Sequence, residues 1–201
     1  MNFLSIDCST DLFSLFIKTK NKTFSKILQS DKSNIDSLMK NILDFFNDNN
    51  LNFNDVSSIF VNQGPGNFSG LRGSLSIAKG ISLSKNLNLY GYNTFLWSCG
   101  NFLNNEKDIY SIIEFRGKYF FKKFDKMLNT DLKVKEITKD EIIKNYDKKF
   151  KIIPNSGKKN FDEKILRLNN LRIVNLDHNV LESLQLRGLL EQDLIKPLYL
   201  S

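Results

Sequence analysis

The chain has 201 residues, of which 41% are hydrophobic and 25% charged. This composition is typical of a globular protein and excludes a collagen-like, fibrous or disordered chain. The 29 basic and 22 acidic residues give a net charge of +7. Two explanations stay open for that charge: a nucleic-acid partner, or a general excess of lysine, since no arginine-rich run accompanies it.

The chain begins with a short apolar run that Asp7 interrupts, so no signal-peptide pattern is present. No stretch reaches the roughly 20 apolar residues that a membrane span requires. Cys8 and Cys99 form no spacing motif and do not indicate a disulfide framework. We therefore expect a cytoplasmic protein that does not associate with membranes.

Short apolar and alternating runs predict strands at 3–6, 12–17 and 22–27, with a turn at 7–11 between the first two. Apolar residues at spacings of three and four then predict a helix over 33–47, with Ser33 as its N-cap. A strand at 58–61 leads directly into a glycine-rich segment.

The second predicted helix, 73–85, is rich in small residues such as Ser76, Ala78 and Gly80. Small residues lower helix propensity but allow close backbone approach, so we expect this helix to pack closely against a neighbour. A strand at 87–91 and the start of a third helix at 94–97 follow.

The second half of the sequence again begins with strands. A hairpin turn at Arg116 and Gly117 joins predicted strands 109–115 and 118–124. A capping box opens a short helix at Thr138. The remaining predicted elements are strands at 132–137, 150–153 and 171–174, a helix at 180–192 and an extended tail at 197–200. The pattern predicts an α/β protein with two lobes, 1–104 and 105–201.

Residues 64–72 read Gly-Pro-Gly-Asn-Phe-Ser-Gly-Leu-Arg, between a predicted strand and a predicted helix. Backbone N–H groups at such a position bind anions. The spacing matches neither the P-loop nor the dinucleotide-binding pattern. Two interpretations therefore stay open: a phosphate contact, or a tight turn that positions a closely packed helix.

The first turn contains a carboxylate and hydroxyls that suit a nucleotide phosphate or its magnesium ion. An Asx-type turn explains the same residues and is the favoured interpretation. The candidate phosphate-contact residues are Asp7, Ser9, Thr10, Gly64, Gly66 and Arg72.

His178 is the only histidine, so the sequence excludes a metal site built on imidazoles and offers no Ser–His–acid arrangement. We expect His178 to be a solvated loop residue. The sequence predicts no catalytic residue and no metal ligand.

The helix over 33–47 carries apolar side chains in more than one direction, as Phe45 and Phe46 show. The apolar surface of this helix is therefore wider than one narrow stripe. Together with the small-residue helix, it indicates a surface for helix-to-helix contact with a partner. The candidate interface residues are Ile35, Leu38, Met39, Ile42, Phe46, Leu71, Leu75, Ala78 and Lys79.

Four segments resemble the TsaB family, also named YeaZ. Residues 4–10, Leu-Ser-Ile-Asp-Cys-Ser-Thr, are similar to that family's opening hydrophobic–Asp–Thr–Ser–Thr turn. Residues 64–72 are similar to its Gly-Pro-Gly-Ser-Phe-Thr-Gly-Leu-Arg segment, and residues 77–80 and 197–200 also fit. The resemblance implies an actin-like, sugar-kinase-like fold of the ASKHA superfamily, with a mixed sheet and flanking helices in each of two small lobes.

The resemblance also implies a function. TsaB members are non-catalytic partners of their paralogue TsaD and assemble with it and the ATPase TsaE in the cytoplasm. That complex transfers threonylcarbamoyl to the adenosine beside the anticodon of tRNAs that read ANN codons. The helices that correspond to 33–47 and 69–85 form the homodimer or TsaD-facing surface. TsaD-like catalysts carry a His-x-x-x-His motif, which this chain lacks.

The expected cofactor content follows from the same resemblance: none is intrinsic, ATP or ADP is bound at most at a partner interface, and tRNA is contacted indirectly through the complex. Two alternatives stay open. Residues 7–10 and the glycine loop favour a stand-alone ASKHA-type ATPase or phosphotransferase, and the charge of +7 favours a direct tRNA-binding module.

Overall fold

The computed structural model describes residues 1–10, 12–29, 36–102, 108–128 and 133–200. The chain divides into two compact units, Met1–Asn93 with Leu190–Ser201 (unit 1) and Thr94–Leu189 (unit 2). Within the described ranges, no helix combines the length and apolar character that crossing a membrane requires.

The division differs from the predicted boundary after residue 104. A short helix at Thr94–Cys99 packs on strands of unit 2, and the last residues of the chain return to unit 1. That return is fixed by backbone pairing, since Gly91 N donates to Glu191 O at 2.8 Å and Glu191 N donates to Gly91 O at 2.9 Å. Such non-local pairing carries no local sequence signal.

Unit 1 contains a mixed five-stranded sheet with the order β3-β2-β1-β4-β5. The first three strands pair antiparallel, while β4 pairs parallel with β1 and with β5. Two helices, α1 and α2, follow β3 and β4. The bounds are β1 Phe3–Asp7, β2 Leu12–Lys18, β3 Thr23–Gln29, α1 Leu38–Asp48, β4 Ser58–Asn62, α2 Phe68–Lys85 and β5 Asn88–Tyr92.

The core of unit 1 lies between one face of this sheet and the two helices. Alternate strand residues such as Leu4 and Ile6 contact the inner sides of α1 and α2 there. The opposite face of the sheet carries a row of aromatic rings, in which Phe3 and Phe60 lie 4.6 Å apart and Phe60 and Tyr90 lie 5.3 Å apart. Both faces are apolar, as expected for a sheet with parallel central strands.

The second helix begins earlier than the predicted residue 73. Asn67 caps it, because the Asn67 side-chain oxygen accepts hydrogen bonds from Ser69 N and Gly70 N. The last part of the glycine-rich segment is therefore the first turn of α2. The predicted start of the first helix at 33, with its cap Ser33, lies outside the described residues.

The glycine loop packs directly on the turn that follows β1. A Cβ atom added to Gly66 would lie 2.0 Å from the backbone oxygen of Ser9, and one added to Gly70 would lie 2.2 Å from that of Cys8. Asn67 N donates to the same Ser9 oxygen at 2.8 Å. The two glycines are needed because only a residue without a side chain fits this backbone-to-backbone contact.

Unit 2 contains a second mixed five-stranded sheet, with the order β10-β9-β6-β7-β8. The hairpin at Arg116 and Gly117 and the capping box of Thr138 with Glu141 confirm two predicted features. The bounds are α3 Thr94–Cys99, β6 Ile109–Phe115, β7 Lys118–Phe124, β8 Lys135–Ile137, α4 Lys139–Tyr146, β9 Phe150–Pro154, α5 Glu163–Leu166, β10 Leu171–Val174 and α6 Val180–Leu186.

His178 lies in a loop, as we expected, but its side chain is only partly exposed. Its ring lies 4.7 Å from that of Trp97, whose Nε1 donates to the backbone oxygen of Asp177 at 2.8 Å. Burial lowers the pKa of His178 to about 4, against the opposing charge of Asp177. The histidine is therefore a neutral packing residue of unit 2 at physiological pH.

Lys151 is fully buried in β9. Its Nζ donates to the backbone oxygens of Tyr146, Asp147, Lys149 and Asn169 at 2.6 to 2.8 Å. Burial lowers the pKa of this ammonium group, and the charge of Asp147 opposes that effect. The ammonium has three hydrogens and four acceptors, so one hydrogen is shared between two acceptors. The group therefore connects the turn at residues 146–149 to the turn that contains Asn169.

We expect Lys151→Met to lower the free energy of unfolding by about 2–4 kcal/mol, because four backbone carbonyl groups lose their charged donor. Urea unfolding followed by the fluorescence of Trp97 reports on unit 2 and measures this loss. Lys149→Met is the matched control, since its side chain is exposed. Equal stability of the two variants would show that the buried ammonium does not stabilise the unit.

The two glycines of α2 provide an opposed pair of variants. We expect Gly70→Ala to lower the free energy of unfolding by about 2–3 kcal/mol, because the new methyl group meets backbone that has no room to move. Gly80 has nothing within 4 Å of an added Cβ atom, so Gly80→Ala is expected to raise stability by about 0.5–1 kcal/mol. Urea unfolding followed by circular dichroism separates the two, and a stable Gly70→Ala variant would contradict the packing argument.

Candidate interaction surface

The polar residues at the ends of β1 and β4 form one buried network. An oxygen of Asp7 accepts hydrogen bonds from Ser9 N and from Asn62 Nδ2, both at 2.9 Å. The side-chain oxygen of Asn62 accepts in turn from Gly64 N at 2.8 Å. Burial raises the pKa of Asp7, and the hydrogen bonds from Ser9 and Asn62 oppose that effect. The network joins the first turn to the glycine loop.

Sequence reasoning missed Asn62, although a polar residue directly after the apolar run 58–61 was an available signal. Its burial is complete. A buried amide needs partners for its donors and its acceptor. Asn62 finds them in Asp7, Ser9 and Gly64, so it connects two segments that are more than 50 residues apart in the sequence.

Most N–H groups of the glycine loop already have acceptors inside unit 1. Gly64 N donates to Asn62, Asn67 N to Ser9, and Leu71 N to the backbone oxygen of Asn67. The Asn67 side chain accepts hydrogen bonds from Ser69 N and Gly70 N in the first turn of α2. An arriving phosphate group would have to replace these bonds. The arrangement therefore favours the tight-turn interpretation of the loop over the phosphate contact.

The structure brings only part of the candidate phosphate set together. Asp7, Ser9, Gly64 and Gly66 meet at the contact between the turn and the loop. Thr10 forms a separate local turn, in which its hydroxyl donates to Leu12 O at 3.0 Å. Arg72 belongs to the exposed side of α2. Among the described residues, no group of three or more His, Cys, Asp or Glu side chains is arranged to hold a metal ion.

Both cysteines are buried and have free thiols. Burial raises the pKa of Cys8 well above its usual value and that of Cys99 to about 12. A thiol with a raised pKa is a poor nucleophile at neutral pH.

Most of the predicted interface residues belong to the core instead. The helical period places them on the sides of α1 and α2 that face the sheet, where each is less than 5% exposed. Their apolar surface is therefore already used within unit 1 and is not available to a partner. The six buried residues are Leu38, Ile42, Phe46, Leu71, Leu75 and Ala78.

Two predicted interface residues remain exposed: Met39 on α1 and Lys79 on α2. Ile35 lies outside the described residues. The structure adds two apolar side chains that sequence reasoning had not selected, Leu43 at 42% and Leu83 at 85% exposure. A single exposed leucine is normal on a protein surface, so these two side chains matter only as part of an apolar surface that they share with Met39.

The outward sides of the two helices define one surface. Ser76, Lys79, Gly80 and Leu83 recur at spacings of three and four along α2, and all are exposed. α1 contacts α2 and packs on the same face of the sheet. We call this surface the outer face of α1 and α2, and define it by Met39, Leu43, Ser76, Lys79, Gly80 and Leu83.

A groove borders the outer face at the first half of α2. It has a volume of about 370 Å³ and lies between α2 and the returning carboxyl-terminal segment. Arg72, Leu75, Ser76 and Lys79 line one side, and Lys196, Pro197 and Tyr199 line the other. Three of these seven residues are cations and none is acidic, so the groove is basic.

Comparison with known proteins matches the part of the chain that contains the loop and both helices. Residues 28–108 match a family described as "TsaD: tRNA N6-adenosine threonylcarbamoyltransferase". The "tRNA threonylcarbamoyladenosine biosynthesis protein TsaB" of Buchnera aphidicola subsp. Baizongia pistaciae (strain Bp) is 30% identical over 105 residues, which are 52% of this chain and 48% of that relative. The match thus spans about half the length of the curated relative.

Solved structures match the whole chain. "YeaZ from Pseudomonas aeruginosa" aligns with a TM-score of 0.72 and 14% identity over 99% of each chain. A second structure, titled as an uncharacterized protein with similarity to peptidase YEAZ from Pseudomonas aeruginosa, aligns with a TM-score of 0.72 and 13% identity over 100% of this chain and 99% of that one. These matches and the two mixed sheets confirm the predicted ASKHA-like α/β fold. The curated relative and the family match support a TsaB-type assignment for the part of the chain that they cover, and the YeaZ structures show the same fold.

Proposed function

We propose that this chain is a non-catalytic partner subunit in the biosynthesis of threonylcarbamoyladenosine in tRNA. It binds TsaD and activates it for transfer of threonylcarbamoyl to the adenosine beside the anticodon of ANN-reading tRNAs. The observation that carries the proposal is that the sequence likeness and the exposed helix surface lie in the same part of the chain. The sequence likeness, residues 28–108, contains both helices whose outer face exposes Met39, Leu43 and Leu83.

The outer face has the properties of a helix-to-helix contact surface. Its apolar side chains lie outside the buried core and are 36 to 85% exposed, so part of their apolar surface is open to a partner. Ser76 and Gly80 add a flat strip on α2, along which a second helix can approach closely. Methionine is enriched in the cores of protein interfaces, and Met39 is exposed on this face.

The glycine loop supports the non-catalytic part of the proposal. Its N–H donors are used within unit 1, and Asp7 is buried in the same network. The single histidine, His178, packs against Trp97. These features give the stand-alone ATPase or phosphotransferase alternative less support than the partner-subunit function.

The remaining parts of the proposal concern the assembly. The isolated chain forms a homodimer through the outer face, and TsaD replaces the second copy. TsaE joins the complex, which works in the cytoplasm. Contact with tRNA is made by the complex, and ATP or ADP is bound at most between subunits.

Leu83→Glu tests the proposed surface. Because Leu83 is 85% exposed, the charge is expected to leave the fold intact and to weaken binding of TsaD from the same organism at least tenfold, since an unpaired carboxylate would be buried in an apolar contact. Isothermal titration calorimetry of the two purified proteins measures this change, and sedimentation velocity measures the corresponding loss of the homodimer.

Leu186→Glu is the matched control, because Leu186 is 75% exposed on α6 of unit 2. Its affinity for TsaD is expected to equal that of the unchanged chain. The proposal fails if the unchanged chain and TsaD do not associate at about 10 μM. The location on the outer face fails if both leucine variants bind equally well.

A further inference from the structure

The basic groove beside α2 is built from two separate parts of unit 1. Hydrogen bonds to Gln63, which follows β4, hold the carboxyl-terminal segment in place: Gln63 Nε2 donates to Lys196 O at 3.0 Å, and Leu198 N donates to Gln63 O at 2.6 Å. The segment therefore forms a fixed wall opposite the exposed side of α2. A groove with both walls fixed in this way is preformed for a ligand.

Arg72 is held in position at the groove. Its Cζ atom lies 4.1 Å from the centre of the Phe68 ring, and its Nε donates to the hydroxyl of Tyr199 at 3.1 Å. The Phe68 and Tyr199 rings stack at 5.5 Å. These contacts fix the plane of the guanidinium group and leave its two terminal nitrogens to donate side by side. That fork fits one carboxylate or phosphate group.

Among the residues that the structure describes, no acidic side chain pairs with the cations of the groove. Arg72, Lys79 and Lys196 all line it, and the ion pairs found within the described part of the chain involve other residues. Three cations that share one groove repel one another, and an anionic ligand relieves this repulsion. The groove therefore favours a partner with at least two negative charges.

The distribution of charge favours a protein over a nucleic acid as the partner that binds the groove in unit 1. Unit 1 has 10 Lys and Arg against 9 Asp and Glu, a net charge of +1, whereas unit 2 has 19 against 13, a net charge of +6. A nucleic acid is bound by an extended positive surface. The positive charge of unit 1 is instead local, and Pro197 and Tyr199 give the groove an apolar wall.

We propose that this groove binds an acidic peptide segment of a protein partner. One carboxylate pairs with the fork of Arg72, a second pairs with Lys79 and Lys196, and an apolar side chain between them packs on Pro197 and Tyr199. The segment adds an electrostatic contact to the apolar outer face next to it. The inference rests on the proposed function for the identity of the partner, but not for the site itself.

The test uses the full 15N-labelled chain and two synthetic probes, acetyl-Glu-Leu-Glu-amide and its counterpart with Gln at both Glu positions. Titration to about 10 mM, followed by 1H–15N correlation spectra, detects dissociation constants up to the millimolar range. We expect the Glu peptide to shift the signals of residues 72–79 and 196–199, and the Gln peptide to shift none of them.

Variants locate the contact. Arg72→Gln is expected to weaken binding of the Glu peptide at least tenfold, and Arg72→Lys to weaken it less, because lysine keeps the charge but loses the fork. Lys20→Gln removes one exposed positive charge outside the groove and is expected to change affinity less than twofold. The spectrum of each variant without peptide shows whether its fold is retained.

Three results would overturn the inference: no shifts with the Glu peptide, equal shifts with the Gln peptide, or tighter binding of a short oligouridine to the same residues. The outcome is separable from that of the proposed function. If the chain associates with TsaD but binds no peptide, the groove proposal is wrong and the partner-subunit proposal stands. If the chain binds the peptide but does not associate with TsaD, the groove proposal stands and the partner-subunit proposal is wrong.

Discussion

The contact between the glycine loop and the first turn is the constraint on which the rest of unit 1 depends. Gly66 and Gly70 bring the loop against the backbone oxygens of Ser9 and Cys8, and Asn67 donates to one of them. This contact sets where α2 begins and in which direction it leaves the sheet. The inner side of α2 then closes the core, and its outward side carries Lys79 and Leu83. A local backbone requirement thus determines which side chains remain available to a partner.

The loop also shows why a strand–loop–helix segment is not by itself a phosphate site. Such a site needs donors that have no internal acceptor. Here Asn62 and Asn67 supply acceptors for the donors that a phosphate would use. The buried Asp7 belongs to the same network and accepts two of its hydrogen bonds. The segment has the strand–loop–helix arrangement of an anion site, but its hydrogen bonds are used within the protein to hold the loop against the first turn.

Much of the fold was predictable from the sequence because its signals are local. The strand patterns of the first sheet, the hairpin at Arg116 and the capping box at Thr138 depend on neighbouring residues, and the structure confirms them. The candidate site was predicted less well. Leu38 and Leu71 share helical spacing with surface positions, and only the sheet beneath them decides which side is buried. The groove joins Arg72 to Tyr199, 127 residues away, which no local pattern indicates.

The return of the carboxyl-terminal segment to unit 1 has a consequence for the order of events in the cell. Unit 2 is inserted between the two parts of unit 1, so the ribosome completes it before it adds residues 190–200. A nascent chain that stops within unit 2 already contains the residues of β1 to β5 and of both helices. It cannot form the wall of Lys196, Pro197 and Tyr199. The groove is therefore the last feature of the partner surface to exist, and any segment that it binds meets a chain whose two units have already been synthesised.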